Sequence, residues 1–337
     1  MLYYSHPVCS EHDPRAHIAS HPDTPERLSA IERALAERDW LGMERRLAPA
    51  ATDEQLLLVH TPRHIERLRE LCLSGGGPID PDTAVGEPSF RAALHAAGGA
   101  IEMTRALLAG EAPLGFCAVR PSGHHAEPDR AMGFCLFDNV ALAAAYALAE
   151  LGAERVFVLD WDVHHGNGTA EAFRSRRDVL FASIHQSGIF PGTGSLGDVG
   201  SGPGIGYTIN LPVPAGSDSE LWLSLLEHIV LPAAGAFEPD LVLISAGFDA
   251  HLADPLADCR LDASDFAQMA RHVRDFARAR TIPLGAVLEG GYAPAALAES
   301  VVATLAALED DIPAESAAPE PFFTSRAAAQ IAQHWPL

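Results

Sequence analysis

The sequence predicts an α/β fold, a single-domain structure with a central, mostly parallel sheet of about eight strands and helices on both faces. Short apolar segments alternate along the chain with longer amphipathic segments, as expected for strands joined by helices. Many of these short segments are apolar throughout, which is typical of strands covered on both faces. No internal repeat or composition break separates two cores. We therefore expect residues 1–337 to form one domain, with the informative motifs at about 20–308 and a tail at 310–337.

The individual elements follow from this alternation. The predicted strands are Leu2–Tyr4, Gly115–Val119, Val156–Leu159, Val179–Ile184, Tyr207–Leu211, Leu241–Ser245 and Leu284–Leu288. A first helix opens at Thr24-Pro25, where a threonine cap precedes a proline at the first helical position. The other predicted helices are Pro62–Leu73, Ser89–Leu108, Asn139–Leu151, Ser219–Phe237, Ala263–Ala279, Pro294–Leu308 and a short one near Arg326–His334. Gly75–Pro88 and the glycine-rich Ser187–Gly206 are predicted loops.

Composition and charge exclude several classes of protein. All 23 basic residues are arginine, and with 45 acidic residues they give a net charge of −22. This balance argues against a direct nucleic-acid partner, because phosphate binding needs a basic surface. The five cysteines form no CxxC pair and no even-numbered disulfide framework. The N-terminus lacks a signal-peptide pattern, and the longest apolar run, Val140–Ala149, is too short to span a bilayer. We expect a cytoplasmic protein without a membrane partner.

The densest polar segment follows the predicted strand Val156–Leu159. Asp160, Asp162 and His164 alternate there, so on an extended segment their side chains point the same way. Two carboxylates and an imidazole leaving a buried strand are expected to be paired or to bind a metal ion, although a solvated turn is the alternative. Asp249 follows another predicted strand and could supply a further oxygen ligand.

Two more predicted strand ends carry chemically active side chains. His124 and His125 follow Gly115–Val119, and Tyr292 follows Leu284–Leu288 after two glycines. A metal site, a histidine pair and a tyrosine together suit metal-assisted hydrolysis of an amide, in which a histidine takes a proton from water and the tyrosine stabilises an oxyanion.

Other polar residues near these motifs are interpreted as loop residues. His251 and Asp254 lie close to Asp249 in sequence, and we expect them on a solvated loop. Three histidines near the N-terminus could add metal or substrate contacts but are likewise assigned to loops: His12, His17 and His21.

Five motifs, in order along the chain, resemble those of the zinc-dependent histone deacetylase superfamily. That superfamily includes bacterial deacetylase-like amidohydrolases and acetylpolyamine amidohydrolases. The resemblance extends from about Ser20 to Leu308. The motifs are Gly123-His124-His125-Ala126, Gly133-Phe134-Cys135, Asp160–Gly168, Ser245–His251 and Glu289-Gly290-Gly291-Tyr292.

The resemblance implies the arginase/deacetylase fold and a role for each motif residue. His125 would be the general base, His124 an electrostatic partner or acid, and Tyr292 the donor to the oxyanion. Asp160 would orient His124, and Asn167 would face His125. The implied ligands of one catalytic Zn²⁺ are Asp162, His164 and Asp249.

The resemblance also implies a substrate tunnel, an exit path and structural potassium ions. Phe134 and Phe190 would form tunnel walls, with Gly133 and Leu256 also at the substrate site, and Arg27 would line the path of the acetate product. A first K⁺ site would use Asp160, Asp162, His164, Ser183 and Ile184. A second would use Phe173, Arg176, Val179 and Tyr207.

Details of the motifs point to a class II-like subtype. Asn167 stands where class I enzymes carry Asp, and Phe248-Asp249-Ala250 is the class II form. Tyr292 is present where a weakly active vertebrate subgroup has His. Leu256 occupies the position at which the polyamine-selective eukaryotic member has a glutamate gatekeeper. The sequence therefore lacks that residue for polyamine recognition. Its absence does not exclude similarity to the bacterial acetylpolyamine hydrolases.

Several alternatives stay open at this point. The substrate could be an acetyl-lysine-like group, an acetylated polyamine, or another small acyl amide or ester. An arginase-like site with two metal ions would need more carboxylates than these motifs supply. A non-catalytic acyl-group binder would be expected to lose part of the acid/base or metal set, and here the set is complete. By the resemblance, we also expect a homo-oligomer.

Overall fold

The protein, described over residues 1–337 by a computed structural model, is built on one large sheet. Its strands are β1 (Leu2–Ser5), β2 (Glu44–Leu47), β3 (Gly76–Pro78), β4 (Ala84–Gly86), β5 (Leu114–Cys117), β6 (Val156–Asp160), β7 (Val179–Gln186), β8 (Thr208–Val213), β9 (Leu241–Ala246) and β10 (Leu284–Leu288). Eight of them form a sheet in the order β2-β1-β5-β10-β9-β6-β7-β8. Every neighbouring pair in it is parallel. The predicted fold class is confirmed.

Helices connect these strands in two packed groups. They are α1 (Glu26–Ala36), α2 (Asp53–Leu56), α3 (Pro62–Leu73), α4 (Ser89–Leu108), α5 (Asn139–Glu150), α6 (Asn167–Phe173), α7 (Ser219–Leu225), α8 (Leu231–Phe237), α9 (Ala263–Arg280), α10 (Pro294–Glu309) and α11 (Phe323–Ile331). Helix α4 packs on α5, and α10 packs on both α1 and α9. One continuous cluster of 77 buried apolar residues includes side chains from the sheet and from both groups. The chain therefore forms a single α/β domain.

Two strand regions were not predicted from the sequence. Strand β2 pairs only with β1 at the sheet edge, and most of its side chains are exposed, so it has no apolar pattern. Charged edge strands of this kind also resist pairing with other molecules. The segment Gly75–Pro88, predicted as a loop, contains the antiparallel hairpin of β3 and β4. Its turn is held by Asp80, whose Oδ1 accepts a 2.7 Å hydrogen bond from the backbone N–H of Thr83.

The predicted helix Ser219–Phe237 is interrupted. A π-helical turn, Leu226–Val230, separates α7 from α8, and Pro232 in the first turn of α8 has no N–H to donate. By length and composition this stretch is also the one that could cross a bilayer. However, 56% of it is buried inside the protein, and buried core helices meet the same criterion, so it is weak evidence for a membrane span.

The tail after α10 lies along the domain rather than away from it. The Arg271 side chain donates to Asp310 at 2.7 Å, and His228 Nε2 lies 2.8 Å from the carbonyl oxygen of Ala317. The last helix, α11, begins at Phe323, a few residues earlier than predicted. Beyond it, Trp335 Nε1 donates a 2.6 Å hydrogen bond to the Gly206 carbonyl.

Candidate active site

The candidate site lies at the carboxyl ends of four consecutive strands of the sheet, β5, β10, β9 and β6. The loop after β5 carries His124 and His125, and the loop after β10 carries Tyr292. Asp249 follows β9, and the Asp160–His164 segment follows β6. Loops at this edge of a parallel sheet are where ligands bind in such folds. The strand order therefore brings together four motifs that are far apart in the sequence.

The three predicted metal ligands form one buried cluster. The donor atoms of Asp162, His164 and Asp249 all lie within 4.8 Å of one another. His164 Nδ1 is 3.2 Å from Asp162 Oδ1 and 3.0 Å from Asp249 Oδ2. The Gly290 N–H donates to Asp162 Oδ2 at 2.8 Å, and the Val163 N–H to Asp249 Oδ1 at 2.9 Å. These backbone donors orient both carboxylates towards the imidazole.

The residues present fit a divalent metal ion. Two carboxylates and one imidazole are a donor set that suits Zn²⁺ and similar ions, and fewer than four protein ligands leaves a position for substrate or water. Glycines allow the close approach of the surrounding loops: a Cβ at Gly247 would lie 2.1 Å from Asp162 Oδ2, and one at Gly290 would lie 2.1 Å from Asp249 Oδ2. Any side chain at either glycine would displace a donor.

His124 is held as a cation by its neighbours. Its Nδ1 lies 2.9 Å from Asp160 Oδ2, and its Nε2 lies 3.8 Å from Asp162 Oδ2. Burial lowers the pKa of His124, but the charges of Asp160 and Asp162 outweigh burial and raise that pKa well above its usual value. The backbone N–H groups of His124 and Gly123 donate to the buried Glu289 carboxyl at 3.2 and 2.7 Å, which fixes the loop.

His125, in contrast, is held as a neutral imidazole. Its Nδ1 lies 2.8 Å from Asn167 Oδ1. The Asn167 Nδ2 donates to Glu127 Oε1 at 2.8 Å, and this contact orients the amide so that Oδ1 accepts from His125. Burial and the positive charge of His124 lower the pKa of His125 well below its usual value. His125 is therefore neutral, with the proton on Nδ1 and a lone pair on Nε2. Glu127, which completes this arrangement, lies in no motif that the sequence singled out.

A cavity of about 200 Å³ opens above these groups. Phe134 lies edge-on to Tyr292, with ring centres 5.5 Å apart, and Phe190 lies edge-on to His125 at 5.0 Å. Burial raises the pKa of Tyr292 well above its usual value, so the phenol keeps its proton. The cavity is lined by Asp82, His125, Gly133, Phe134, His164, Ile189, Phe190, Leu256 and Tyr292.

All four predicted substrate-site residues thus face one cavity, and Asp82 and Ile189 join them. The sequence carried no signal for these two, because both lie in segments predicted as loops. Gly133 and Phe134 both have positive φ, 56° and 68°. A Cβ at Gly133 would lie 2.5 Å from a ring carbon of His125, so glycine is needed for this close approach.

Arg27 is fully buried next to Tyr292. Its guanidinium carbon lies 4.8 Å from the centre of the Tyr292 ring. It donates to the carbonyl oxygens of Gly291 and Glu289 and, at 2.6 Å, to Asp23 Oδ1. Arg27 therefore connects the tyrosine loop to a separate buried charge cluster.

His251 and Asp254 lie on a loop with exposed neighbours, as expected, but their own side chains are not solvated. Both side chains are buried. Asp254 Oδ2 accepts a 2.6 Å hydrogen bond from the backbone N–H of Tyr292, so it holds the tyrosine loop in place. Sequence proximity alone could not show this contact, because Tyr292 lies on a neighbouring strand end.

The N-terminal histidines lie in loops as expected, but two of them are buried. His12 Nδ1 is 2.7 Å from Ser89 Oγ. His21 Nε2 is 2.8 Å from the carbonyl oxygen of Asp82, and its ring lies 4.5 Å from that of Phe134. His21 therefore supports the cavity wall from behind, and none of these histidines lies in the metal cluster.

The residues that the resemblance assigns to potassium fall into two groups, one beside the metal ligands and one near the start of β7. In the first, Ser183 and Ile184 lie on β7, whose register pairs Ser183 with Asp160. In the second, the carbonyl oxygen of Phe173 accepts from Arg176 N at 2.9 Å, and Val179 begins β7 next to them. The carbonyl oxygen of Tyr207 accepts from Phe181 N at 2.9 Å.

This fold and the residues at its carboxyl edge define a hydrolase of the arginase/deacetylase type. The family model of the histone deacetylase domain matches residues 21–308. The chain belongs to the histone deacetylase family.

Similar proteins support this assignment. The histone deacetylase-like amidohydrolase of Pseudomonas aeruginosa is 43% identical over 283 residues, which cover 82% of this chain and 74% of that protein. A probable deacetylase of Archaeoglobus fulgidus is 40% identical over 277 residues, covering 81% and 77%. The crystal structure of the HDA15 HD domain superposes with a TM-score of 0.90 at 33% identity, covering 99% of this chain and 95% of that one. The predicted class II-like bacterial deacetylase type is confirmed.

Proposed function

We propose that this protein is a Zn²⁺-dependent amidohydrolase that removes an acetyl group from an acetyl-lysine-like group or an acetylated amine. One observation carries the proposal: the metal-ligand cluster, His125 and Tyr292 all meet at one cavity of about 200 Å³. Membership of the deacetylase family supports the reaction class.

The cavity walls suit an extended alkyl chain that ends in a small amide. Phe134, Phe190 and Leu256 supply apolar surface, polar groups stand at the metal cluster, and Asp82 adds one further carboxylate to the lining. An apolar pocket with a few polar groups is the usual arrangement for binding and orienting such a ligand.

The metal ligands proposed here are Asp162, His164 and Asp249. A Zn²⁺ ion bound there would polarise the amide carbonyl and acidify a water molecule. His125, neutral and with a free lone pair on Nε2, accepts the proton from the attacking water. The Tyr292 hydroxyl, which keeps its proton, donates a hydrogen bond to the carbonyl oxygen as negative charge develops there. The His124 cation, oriented by Asp160, adds positive charge nearby, and a histidine returns the proton to the departing amine.

Arg27 is proposed to line the path by which acetate leaves. Its buried guanidinium lies directly beside Tyr292 and carries the charge that attracts a carboxylate. One or two structural K⁺ ions are proposed at the two groups described above, because carbonyl and hydroxyl oxygens of this kind hold hard cations.

We also propose a setting for the enzyme. The net charge of −22 supports the absence of a direct nucleic-acid partner. A cytoplasmic location without a membrane partner, a single domain over residues 1–337 with a tail at 310–337, and a homo-oligomer complete the proposal.

Acetate release by the purified, zinc-loaded protein tests the proposal. The substrates would be an acetyl-lysine peptide, free acetyl-lysine, acetylputrescine and acetylspermidine. The chain contains no lysine, so no acetyl-lysine of the enzyme itself can contribute acetate. Preference for the peptide would support a protein deacetylase, and preference for the acetylated amines would support the alternative, an acetylpolyamine or other small amide hydrolase.

His125→Ala is the control in this assay. This substitution should lower the rate of acetate release by about 10²- to 10⁴-fold, the usual contribution of a general base. A zinc-loaded protein that releases no acetate from any of these substrates would contradict deacetylation and favour another acyl group or a binding role.

A further inference from the structure

A second and larger cavity, of about 520 Å³, lies beside the active site. The glycine-rich loop after β7, the end of β8 and helix α11 enclose it. Its apolar lining includes Leu196, Leu225 and Phe323. A volume between about 300 and 1,000 Å³ is typical of sites that bind small organic molecules.

Helix α11 forms part of the cavity wall. Phe323, Arg326 and Ala327 form one wall, and all three lie beyond residue 308, where the match to the deacetylase domain ends. Ile189 and Phe190 form another wall, and both also line the tunnel above the metal ligands. The cavity therefore lies outside the metal cluster, although it shares Ile189 and Phe190 with the tunnel and includes His165 of the Asp160–Gly168 motif.

The charges on the lining indicate which ligand fits. Asp198 is already paired with Arg174, at 3.1 Å. Arg326 has no carboxylate within ion-pair distance and is exposed at the rim, so it is the uncompensated charge of this lining. His165 also lines the cavity, and its Nδ1 contacts Thr193 Oγ1 at 2.7 Å. One free cation thus borders a cavity in which apolar side chains stand among polar ones.

We infer that this cavity binds an amphipathic carboxylic acid of medium chain length. Its alkyl chain would lie against Leu196, Leu225 and Phe323, and its carboxylate would bind the Arg326 guanidinium. A guanidinium is the side-chain group best shaped for a carboxylate. A ligand in this position would contact Ile189 and Phe190 and so would touch residues of the tunnel wall. The inference concerns binding alone and does not rest on the proposed function.

Calorimetric titration of the full-length, zinc-loaded protein with octanoate tests the inference. Octanoate should bind, and octylamine, which has the same chain and the opposite charge, should not. Arg326→Gln should weaken octanoate binding by about tenfold, because it removes one charge-assisted contact. The matched control is Arg63→Gln, an exposed arginine on α3 without a carboxylate partner, which should leave octanoate binding unchanged.

A second variant fills the cavity. Ala327→Trp places a large ring among the lining residues and should abolish octanoate binding while the content of bound zinc stays at the unmodified level. Since the new ring could also displace α11, its thermal unfolding midpoint is compared with that of Arg326→Gln, which leaves the packing intact. Octanoate binding that both variants retain, or that disappears only when the metal is removed, would place the ligand elsewhere and overturn the inference. No binding to the unmodified protein would overturn it as well.

Discussion

Two buried charge clusters lie on either side of Tyr292, and they differ in how their carboxylates are neutralised. In the first, Asp23 accepts hydrogen bonds from Arg27 at 2.6 Å and from Arg120 at 2.6 and 2.8 Å. In the second, Asp162 and Asp249 accept only from backbone N–H groups and from His164. The cluster around Asp23 includes two arginine side chains that supply positive charge. The cluster of Asp162 and Asp249 presents converging carboxylate oxygens and includes no guanidinium.

The pKa values of the carboxyl groups differ between the clusters at one position. Burial raises the pKa of Asp23, but its two arginines outweigh burial and hold that pKa far below its usual value. In the second cluster, burial also raises the pKa of Asp162, but His124 and His164 outweigh it and hold that pKa low, whereas burial and the charge of Asp162 raise the pKa of Asp249 to about 7. Buried carboxylates are stable when they are paired or bind a metal ion. The first cluster is therefore complete within the chain, and the second is suited to receive a cation.

Breaking the second cluster should have the largest effect. Asp249→Ala removes one of three proposed ligands, so bound Zn²⁺ should fall well below one per chain after dialysis, and acetate release should fall by more than about 10³-fold. Metal analysis and the acetate assay measure the two outcomes. Asp311→Ala, which changes a fully exposed aspartate, is the control and should alter neither. Full zinc occupancy in Asp249→Ala would show that the proposed ligand set is wrong.

Breaking the first cluster should affect stability instead. Asp23→Asn leaves two buried arginines without their carboxylate and should lower the free energy of unfolding by about 3–5 kcal/mol. Denaturant titration at pH 7 measures this difference. Because the pKa of folded Asp23 lies below its ordinary value of 3.8, its stabilisation is complete above about pH 4 and is lost on further acidification. The difference in free energy of unfolding between the unmodified protein and Asp23→Asn should therefore shrink below pH 4. Equal free energies of unfolding at pH 7 would contradict the prediction.

Substitution of Tyr292, which lies between the clusters, should lower turnover without loss of metal. Tyr292→Phe keeps the ring against Phe134 but removes the hydroxyl, so kcat should fall by about 10²- to 10³-fold, the usual cost of one oxyanion donor. Zinc content should stay at the unmodified level. Tyr146→Phe, on α5 and outside the site, is the matched control. Unchanged kcat in Tyr292→Phe would remove this hydroxyl from the mechanism.

The smallest effect is expected at the tunnel wall, outside both clusters. Phe190→Ala removes apolar contact area and should raise KM roughly tenfold with little change in kcat, since the reacting groups stay in place. Steady-state kinetics on the best substrate of the panel measures both constants. Leu73→Ala, at a residue that is 78% exposed, should change neither. A fall in kcat with constant KM would instead indicate that Phe190 positions His125.

Much of the fold and of the candidate site could be predicted from the sequence, because the relevant signals are local. Apolar segments predicted the strands from β5 to β10, and the alternation of Asp160, Asp162 and His164 predicted a shared orientation. The edge strand β2 escaped prediction because its exposed side chains carry no apolar pattern. The hairpin of β3 and β4 escaped because its strands have three residues each and are rich in glycine and turn residues.

The sequence by itself determined which side chains the site contains, since each motif is a short run of residues that follows a buried strand. Only the tertiary structure decided which runs meet, because parallel strands are placed by long-range packing, and the order β5-β10-β9-β6 cannot be derived from local periodicity. It also decided the protonation of the histidine pair. Glu127 orients Asn167 and Asp160 faces His124 across the sheet edge, and a pKa depends on those neighbours and on burial rather than on the residue type alone.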